Sequence, residues 1–404
     1  MEQDLPLSGV KIIDLSRQLP GPFATMTLAD FGADVIKIED TKSGDSFRQT
    51  EPQKNGISIR HLQLNRNKRS LAINLKSAEG KEVFLKLAAR SDVILEQFRP
   101  GVVDRLGIDY ASVKRINPKI VYCSLSGFGQ VSPFRNLTAH DPNYLALSGV
   151  MSLLGRRNEE PAMTGPQLAD ITAAHMVTSG ILMALRKAEM SNEGAYIDIS
   201  LFDSAFSLAV TAMCSYLGSG HAPSRGEERH NGKYPWSDIY RTGDGHYLTI
   251  SAIEEHFYVN LCRALGHEDW LALQYADEST QEQIRSEMKR IFLTRTRDAW
   301  FDFLKDQDVC VGPVLSVSEA ASSSQVLDRE TLVSHRHPIA GDIQLMRSPI
   351  RMSHTDTSVR MGAPLLGEHS IDILRGLGCG EAQISALLEA GVVLTSSYPT
   401  SYQE

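Results

Sequence analysis

The hydrophobic pattern of residues 10–125 alternates between short apolar runs and longer amphipathic segments. Runs rich in β-branched residues predict strands, and the segments that start or end at glycine and proline predict helices. The predicted strands are 10–15, 34–39, 70–75, 93–96 and 120–125, and the predicted helices are 22–31 and 78–89. A strand, a crossover helix and a further strand in repetition favour a parallel α/β sheet.

The rest of the chain has two further patterns. Residues 140–220 predict mainly helices, at 145–154, 173–188 and 200–217, with a short strand at 195–199. A glycine- and serine-rich stretch at 218–226 then interrupts the pattern. Beyond it we predict a strand at 245–252, helices at 256–265, 281–292 and 297–306, and a strand edge at 311–314. The segment past 340 reads as loop-rich, with one helix at 371–377.

These patterns divide the chain into three parts. We expect a large domain over 1–220, a smaller α/β domain over 230–325, and a segment at 340–404 that returns to the large domain. A chain of 404 residues is long enough for two domains with a substantial core.

The composition of the chain argues against several classes of protein. Hydrophobic residues make up 42% and charged residues 22%, as in soluble globular proteins. The net charge of −8 gives no basic field for nucleic acid or an anionic membrane. The amino-terminal residues do not resemble a signal peptide, and no uninterrupted apolar run approaches the about 18 residues that span a bilayer. Five cysteines without a CxxC pair favour neither a metal site nor a disulfide framework. We expect a cytoplasmic protein that binds no metal.

Three residues are candidate catalytic residues. His140 lies between a glycine-containing loop and a predicted helix, Asp170 begins a long apolar helix, and Glu254 follows a strand. A histidine and carboxylates suit acid–base or nucleophilic catalysis. Each has an ordinary alternative, because His140 could be a capping or core histidine, Asp170 an N-cap, and Glu254 a solvated helix start. The motifs HExxH, GxxxxGK[ST] and GxSxG are absent.

The order of short segments along the chain resembles the class III CoA-transferase superfamily, also called CaiB/BaiF. The resemblance runs from about residue 5 to about residue 375, which is nearly the whole sequence. It is carried by the stretches 7–15, 20–22, 32–39, 65–70, 74–76, 99–101, 105–107, 126–130 and 311–314.

The resemblance implies an architecture and a ligand. Members have a Rossmann-like large domain and a smaller α/β domain in a ring-shaped subunit, and two subunits form an interlocked homodimer. CoA is held mainly by the large domain, as part of the acyl-CoA substrate and with no further cofactor. The residues that the resemblance and their charge suggest for CoA are Arg17, Ile38, Glu39, Arg66, Lys68, Arg69 and Arg99. For each basic residue, an ordinary surface salt bridge is the alternative.

The resemblance also leaves more than one reaction open. His140 and Asp170 resemble the two bases with which 2-methylacyl-CoA racemases move the C2 proton, and Glu254 resembles the glutamate that pairs with that histidine. The backbone amide of Asp170 could then face the thioester oxygen. Alternatively, Asp170 resembles the nucleophile of the CoA-transferases, which forms an acyl anhydride and then an aspartyl-CoA thioester. Where racemases often have glycines after the aspartate, this sequence has 171–175 as ITAAH. A CoA-binding protein without catalysis is a third, minor alternative.

Overall fold

The computed structural model describes residues 5–396. The strands are β1 Lys11–Leu15, β2 Asp34–Glu39, β3 Gln53–Lys54, β4 Ile57–Ser58, β5 Lys68–Ile73, β6 Val93–Glu96, β7 Val121–Ser126, β8 Ala195–Ser200, β9 Ser237–Arg241, β10 Tyr247–Ser251, β11 Val311–Pro313, β12 Leu332–His337, β13 Gly341–Met346 and β14 Val393–Leu394. The α-helices are α1 Pro20–Asp30, α2 Ile59–Asn65, α3 Ala78–Ala88, α4 Val102–Leu106, α5 Tyr110–Lys114, α6 Asp141–Leu147, α7 Leu168–Ser191, α8 Leu201–Ser207, α9 Val210–Ser219, α10 Glu255–Leu265, α11 Glu278–Phe292, α12 Arg297–Leu304, α13 Val317–Ala321, α14 Ser324–Asp328, α15 Ser370–Gly376 and α16 Glu381–Glu389. Short 3₁₀ helices lie at Ser46–Arg48, Val150–Leu153 and Glu268–Trp270.

The chain forms two compact units. The first contains the described residues up to 148, residues 166–207 and the described residues from 324 onward, and the second contains 149–165 and 208–323. Residues 149–165 and 208–220, which we expected in the large domain, therefore belong to the second unit. The reason is local, because the predicted helix 200–217 is two helices, α8 and α9, and the chain passes into the second unit between them.

A seven-stranded sheet organises the first unit. Its strand order is β14-β5-β2-β1-β6-β7-β8, and neighbouring strands are parallel except β14, which is antiparallel to β5. The chain proceeds outward from β1 through β2 to β5 and then crosses to the other side of β1 at β6. The strand order thus reverses between β1 and β6, which is where open α/β sheets form a ligand crevice. The α/β fold class predicted from the sequence is confirmed.

The central strands are buried because helices cover the sheet. Ile13, Ile94 and Tyr122 are completely buried and belong to one apolar cluster with Phe84 of α3. Strands that are covered on both faces have nearly continuous apolar sequences, which is why this sheet could be recognised from the hydrophobic pattern.

The second unit has its own sheet and core. Strands β9, β10 and β11 form an antiparallel sheet in the order β11-β10-β9. Trp236, Tyr240, Phe292 and Trp300 are buried in its apolar cluster. This unit is a small α/β structure with α10, α11 and α12 beside the sheet.

The carboxyl-terminal segment is more regular than the sequence indicated. We expected loops and one helix past residue 340, but residues 332–396 contain the β12–β13 hairpin, helices α15 and α16, and β14. The hairpin was missed because its apolar side is supplied by only a few residues, among them Ile343 and Leu345, which pack against Leu62. Strand β14 is too short to produce a periodic pattern.

Helix α7 is the one helix among residues 5–396 whose length and hydropathy would suffice to cross a membrane. It packs against α1, α8 and strands β7 and β8. Its buried positions are mostly alanines, including Ala169, Ala173 and Ala174, which let the neighbouring helices approach closely. A core helix of a folded domain meets the same length and hydropathy criteria.

Candidate active site

A cavity of about 600 Å³ lies at the carboxyl ends of β1, β6 and β7. Arg17 and Gln18 follow β1, Gln97 follows β6, and Ser126 ends β7. This first cavity occupies the position that the reversal of strand order predicts for a ligand. The rest of its wall includes Phe98, Arg99, Arg135, Thr138, His140, Tyr144 and Asp170.

Two more cavities continue along the same edge of the sheet. The second, of about 400 Å³, shares Arg17, Gln18 and Gln97 with the first. The third, of about 550 Å³, shares Arg17 and Phe98 with the first and is lined by the segments that follow β2 and β5. A row of neighbouring cavities that share wall residues suits an elongated ligand better than a compact one.

Two buried polar atoms on the wall of the first cavity have no hydrogen-bond partner within residues 5–396. They are Gln97 Oε1 and Ser126 Oγ. Buried polar atoms in folded proteins are nearly always paired, so these two are available to water or to a polar ligand in the cavity.

Asp170 is the third residue of α7 and lies on the wall of the first cavity. Its carboxylate accepts no hydrogen bond from the described part of the chain, so it does not cap its own helix. Burial, and secondly the charge of Asp141, raise the pKa of Asp170 to about 7. The carboxyl group is therefore poised to exist in either protonation state near neutral pH.

The backbone amide of Asp170 has a different role from the one we expected. It donates a hydrogen bond of 3.0 Å to Asp141 Oδ1. Because this bond uses the single N–H of the amide, the amide does not face the cavity as an oxyanion donor, and that prediction is wrong.

His140 lies at the entrance to α6 as its N-cap residue. Its backbone N–H donates to Asn143 Oδ1 at 3.0 Å, and its side chain is exposed on the wall of the first cavity. The structure thus brings together the two residues that the sequence suggested as bases, His140 and Asp170.

The predicted CoA residues divide into two groups, of which the first lies at the cavities. Arg17 lines all three, and its guanidinium is 3.4 Å from the carboxylate of Asp40. Arg99 lines the first cavity and donates to Thr138 Oγ1 at 3.2 Å. Ile38 and Glu39 line the third cavity.

The second group, Arg66, Lys68 and Arg69, does not reach these cavities. Arg66 is buried and forms a bidentate pair with Asp30, and Lys68 is completely buried against Asp14. Arg69 pairs with Asp34, at the amino end of β2 and thus at the opposite edge of the sheet. We correct the prediction for all three, because the charges of Arg66 and Lys68 are neutralised inside the fold and Arg69 lies at the wrong edge of the sheet.

Two other residues from the sequence analysis lie elsewhere. Glu254 belongs to the second unit, where it is the exposed N-cap residue of α10. Its pairing with His140 stays a prediction. His175 of α7 packs edge-on against Phe23, with 5.6 Å between the ring centroids, and is not part of the first cavity's wall.

Sequence reasoning missed several residues of the first cavity. Gln18, Gln97 and Ser126 lie at or directly after strand ends, so the rule that ligands bind at carboxyl ends of parallel strands could have found them. Arg135 is in an irregular loop, and nothing in the local sequence pattern distinguishes it.

Comparison with known proteins identifies the family of the chain. Residues 7–370 match the family model for CoA-transferase family III. An acetyl-CoA:oxalate CoA-transferase from Acetobacter aceti is 31% identical over 385 residues, covering 94% of this chain and 97% of the relative. The alpha-methylacyl-CoA racemase of Mus musculus is 32% identical over 384 residues, covering 94% and 96% respectively.

A solved structure is similar over nearly the same length. The crystal structure of a CaiB/BaiF family protein from Brucella suis matches with a TM-score of 0.82 and 29% identity, covering 93% of this chain and all of that protein. The relatives include both racemases and CoA-transferases, so similarity alone leaves the reaction open between these two enzyme types. The chain is an enzyme that belongs to CoA-transferase family III.

Proposed function

We propose that the chain binds an acyl-CoA thioester along the three cavities and exchanges the proton at C2 of a 2-methylacyl group. The observation that carries the proposal is that His140 and Asp170 line one cavity at the end of the row. Two titratable side chains in one cavity provide the acid and the base that inversion at a carbon requires.

The cavities suggest how CoA would lie. The adenosine would occupy the third cavity beside Ile38 and Glu39, and the phosphates would meet Arg17 and Arg99. The pantetheine arm, with its two amides, would then pass the unpaired oxygen of Gln97. This order leaves the thioester in the first cavity.

In the racemase reaction, one base removes the C2 proton and the electron pair of the C–H bond delocalises into the thioester as an enolate. The conjugate acid of the other base then returns a proton to the opposite face of C2. His140 and Asp170 exchange these roles between the two directions. Together they hold one proton before and after turnover, and two while the enolate exists. The nearly neutral pKa of Asp170 supports this exchange, because the group can give or accept a proton at little cost.

CoA transfer is the second candidate. The observation that favours it is the free carboxylate of Asp170, which accepts no hydrogen bond from the described residues. As a nucleophile it would attack the thioester carbonyl and expel the CoA thiolate, giving an acyl anhydride. The thiolate would then attack the aspartyl carbonyl of the anhydride and release the first carboxylate. An acceptor carboxylate would take up the CoA by the reverse steps.

Heavy water separates the candidates. Incubation of the enzyme with a single epimer of a 2-methylacyl-CoA in D₂O should place deuterium at C2 and yield both epimers. CoA moving to an added carboxylate, with no deuterium at C2, would refute the racemase and support transfer. Tight CoA binding with neither reaction would mean that the chain binds CoA without catalysis.

We also propose that the chain acts as a homodimer. Helix α7 and the edge strand β8 present exposed apolar side chains, among them Met176, Met183, Met190 and Tyr196. An open sheet edge beside exposed apolar groups is a surface that soluble proteins usually cover. Light scattering should give twice the mass of the chain, and Met183→Glu should shift the mass toward that of a monomer. A monomeric wild-type protein at micromolar concentration would exclude the dimer.

A further inference from the structure

Asp141 connects the two helices that carry the candidate bases. It is the first residue of α6, directly after His140, and its side chain is buried. Its Oδ1 accepts the backbone N–H of Asp170 at 3.0 Å, and the backbone N–H of Ala169 also bonds to its carboxylate.

This contact replaces an ordinary helix cap. The N-cap residue of α7 is Gln167, whose side chain makes no capping bond. The first N–H groups of a helix need acceptors, and here Asp141, nearly 30 positions earlier in the chain, provides one. A carboxylate at this place also interacts favourably with the helix dipole. The carboxylate of Asp170 therefore does not need to cap α7, although its position in the sequence suggested that role.

Asp141 affects the ionisation of Asp170 as well as the position of Asp170. Burial is the main cause of the raised pKa of Asp170, and the negative charge of Asp141 is the second. The pKa of Asp141 is itself raised by burial. The other charged or titratable groups on the wall around Asp170 are His140, Tyr144, Arg17, Arg99 and Arg135.

We propose that Asp141 is a positioning residue, which holds α7 against α6 so that Asp170 and His140 face one substrate. Its negative charge beside Asp170 also disfavours ionisation of that carboxyl group. The role rests on the proposed function of the two bases. It does not require Asp141 to touch the substrate.

Two variants separate the mechanical effect from the electrostatic one. Asp141→Asn keeps an oxygen acceptor and removes the charge, whereas Asp141→Ala removes both. Asp109→Ala is the matched control, since Asp109 also caps a helix, α5, through the N–H of Ser112 but lines none of the three cavities. We expect Asp141→Ala to lower kcat for C2 exchange or CoA transfer at least about 100-fold with little change in KM, because misplacing reacting groups has effects of that size. A kcat loss no larger than that of Asp109→Ala, at equal loss of Tm, would overturn the positioning role.

The charge effect has a readout that does not depend on turnover. The titration of Asp170 can be followed by NMR of protein with ¹³C-labelled aspartate carboxyls and assigned with Asp170→Asn. In Asp141→Asn the midpoint should fall by about one pH unit or more, as expected for the loss of a nearby like charge. An unchanged midpoint would refute the electrostatic part of the proposal. If the wild type showed neither reaction, the proposed function would fail, but this titration would still decide whether Asp141 controls Asp170.

Discussion

Lys37 and Asp45 form an ion pair of 3.0 Å in which both side chains are completely buried. Lys37 also donates to the carbonyl of Ser16 at 2.9 Å, and Asp45 accepts the backbone N–H of Gln18. Gln18 has a positive φ of 64°, a conformation that a residue with a side chain adopts only when its surroundings hold it there. The pair therefore fixes the loop that presents Arg17 and Gln18 to the cavities.

Replacing Lys37 should destabilise the protein strongly. Lys37→Met leaves Asp45 buried without its cation, and breaking a buried pair in this way costs about 3–5 kcal/mol of unfolding free energy. Urea denaturation measures the loss. Lys86→Met is the control, because Lys86 pairs with Glu82 on an exposed face of α3, and its loss should change stability little. Similar effects for the two variants would contradict the role assigned to the buried pair.

His140→Ala should distinguish the two candidate reactions. It removes one of the two bases that inversion at C2 needs, so interconversion of the epimers should fall at least about 1,000-fold, within the range for loss of a general base. CoA transfer, which needs the carboxylate of Asp170 alone, should change by less than about 10-fold. Asp170→Ala should abolish both reactions. Chiral chromatography coupled to mass spectrometry of the CoA esters follows inversion and transfer together, and a His140→Ala enzyme that still interconverts the epimers would disprove the two-base mechanism.

The pH dependence should differ between the reactions. CoA transfer requires ionised Asp170, so its kcat/KM should rise through pH 7, where this residue titrates, and then level off. Proton exchange requires one proton shared by His140 and Asp170, since a pair with two protons has no base and a pair with none has no acid. Its profile should therefore be bell-shaped. A profile for either reaction that is flat between pH 5.5 and 8.5 would be inconsistent with the role of Asp170.

The same carboxyl group should reduce stability at alkaline pH. The pKa of Asp170 is about 7 in the folded protein and about 3.9 in an unfolded chain. Because the folded state binds this proton more tightly, the contribution of Asp170 to stability is most favourable below pH 4 and declines as the pH rises to 7. Asp170→Asn removes this decline and should stabilise the protein at pH 8 by at most about 4 kcal/mol, and by less to the extent that water reaches the cavity.

Urea denaturation between pH 5.5 and 8.5 tests that expectation. The difference in unfolding free energy between Asp170→Asn and the wild type should grow up to pH 7 and then remain constant. Asp203→Asn, at an exposed position of α8, should show no such dependence. A constant difference over the whole range would mean that the pKa of Asp170 is not raised.

The arginines at the cavities should control affinity for CoA. Arg99→Gln or Arg17→Gln should raise KM for an acyl-CoA about 10-fold or more, as expected from losing a charged hydrogen bond to phosphate, with a smaller effect on kcat. The control is Arg115→Gln, an exposed arginine bonded to Ser112 and outside the three cavities. Equal KM values for the Arg99, Arg17 and Arg115 variants would argue against phosphate binding at this edge.

The sheet could be predicted from the sequence because apolar residues dominate most of its strands, even where single charged residues such as Lys37 interrupt them. The runs at 34–39 and 93–96 coincide with β2 and β6. The break between α8 and α9 could not be predicted, since both helices are apolar and no proline or charge separates them. Helix ends of this kind are decided by packing rather than by local preference.

Some of the basic residues predicted to bind CoA lie at the cavities and others do not, for a physical reason. Arg17 and Arg99 follow strand ends, so their position alone brings them to the ligand edge. Arg66 and Lys68 looked equally suitable by charge, but their partners Asp30 and Asp14 lie 36 and 54 positions away. The sequence gives the charge of a residue but not the distant carboxylate that will neutralise it.

The sheet of the first unit is completed late during synthesis. Strand β14 covers the outer edge of β5, and the N–H of Ala72 donates to Ser370 Oγ, 298 positions later. A ribosome therefore produces β5 long before the residues that cover it, and in the meantime the nascent chain has an unpaired strand on which other chains could assemble. Chains that stop before residue 370 would keep this open edge permanently, so incomplete translation products should depend on chaperones or proteolysis to remain out of aggregates.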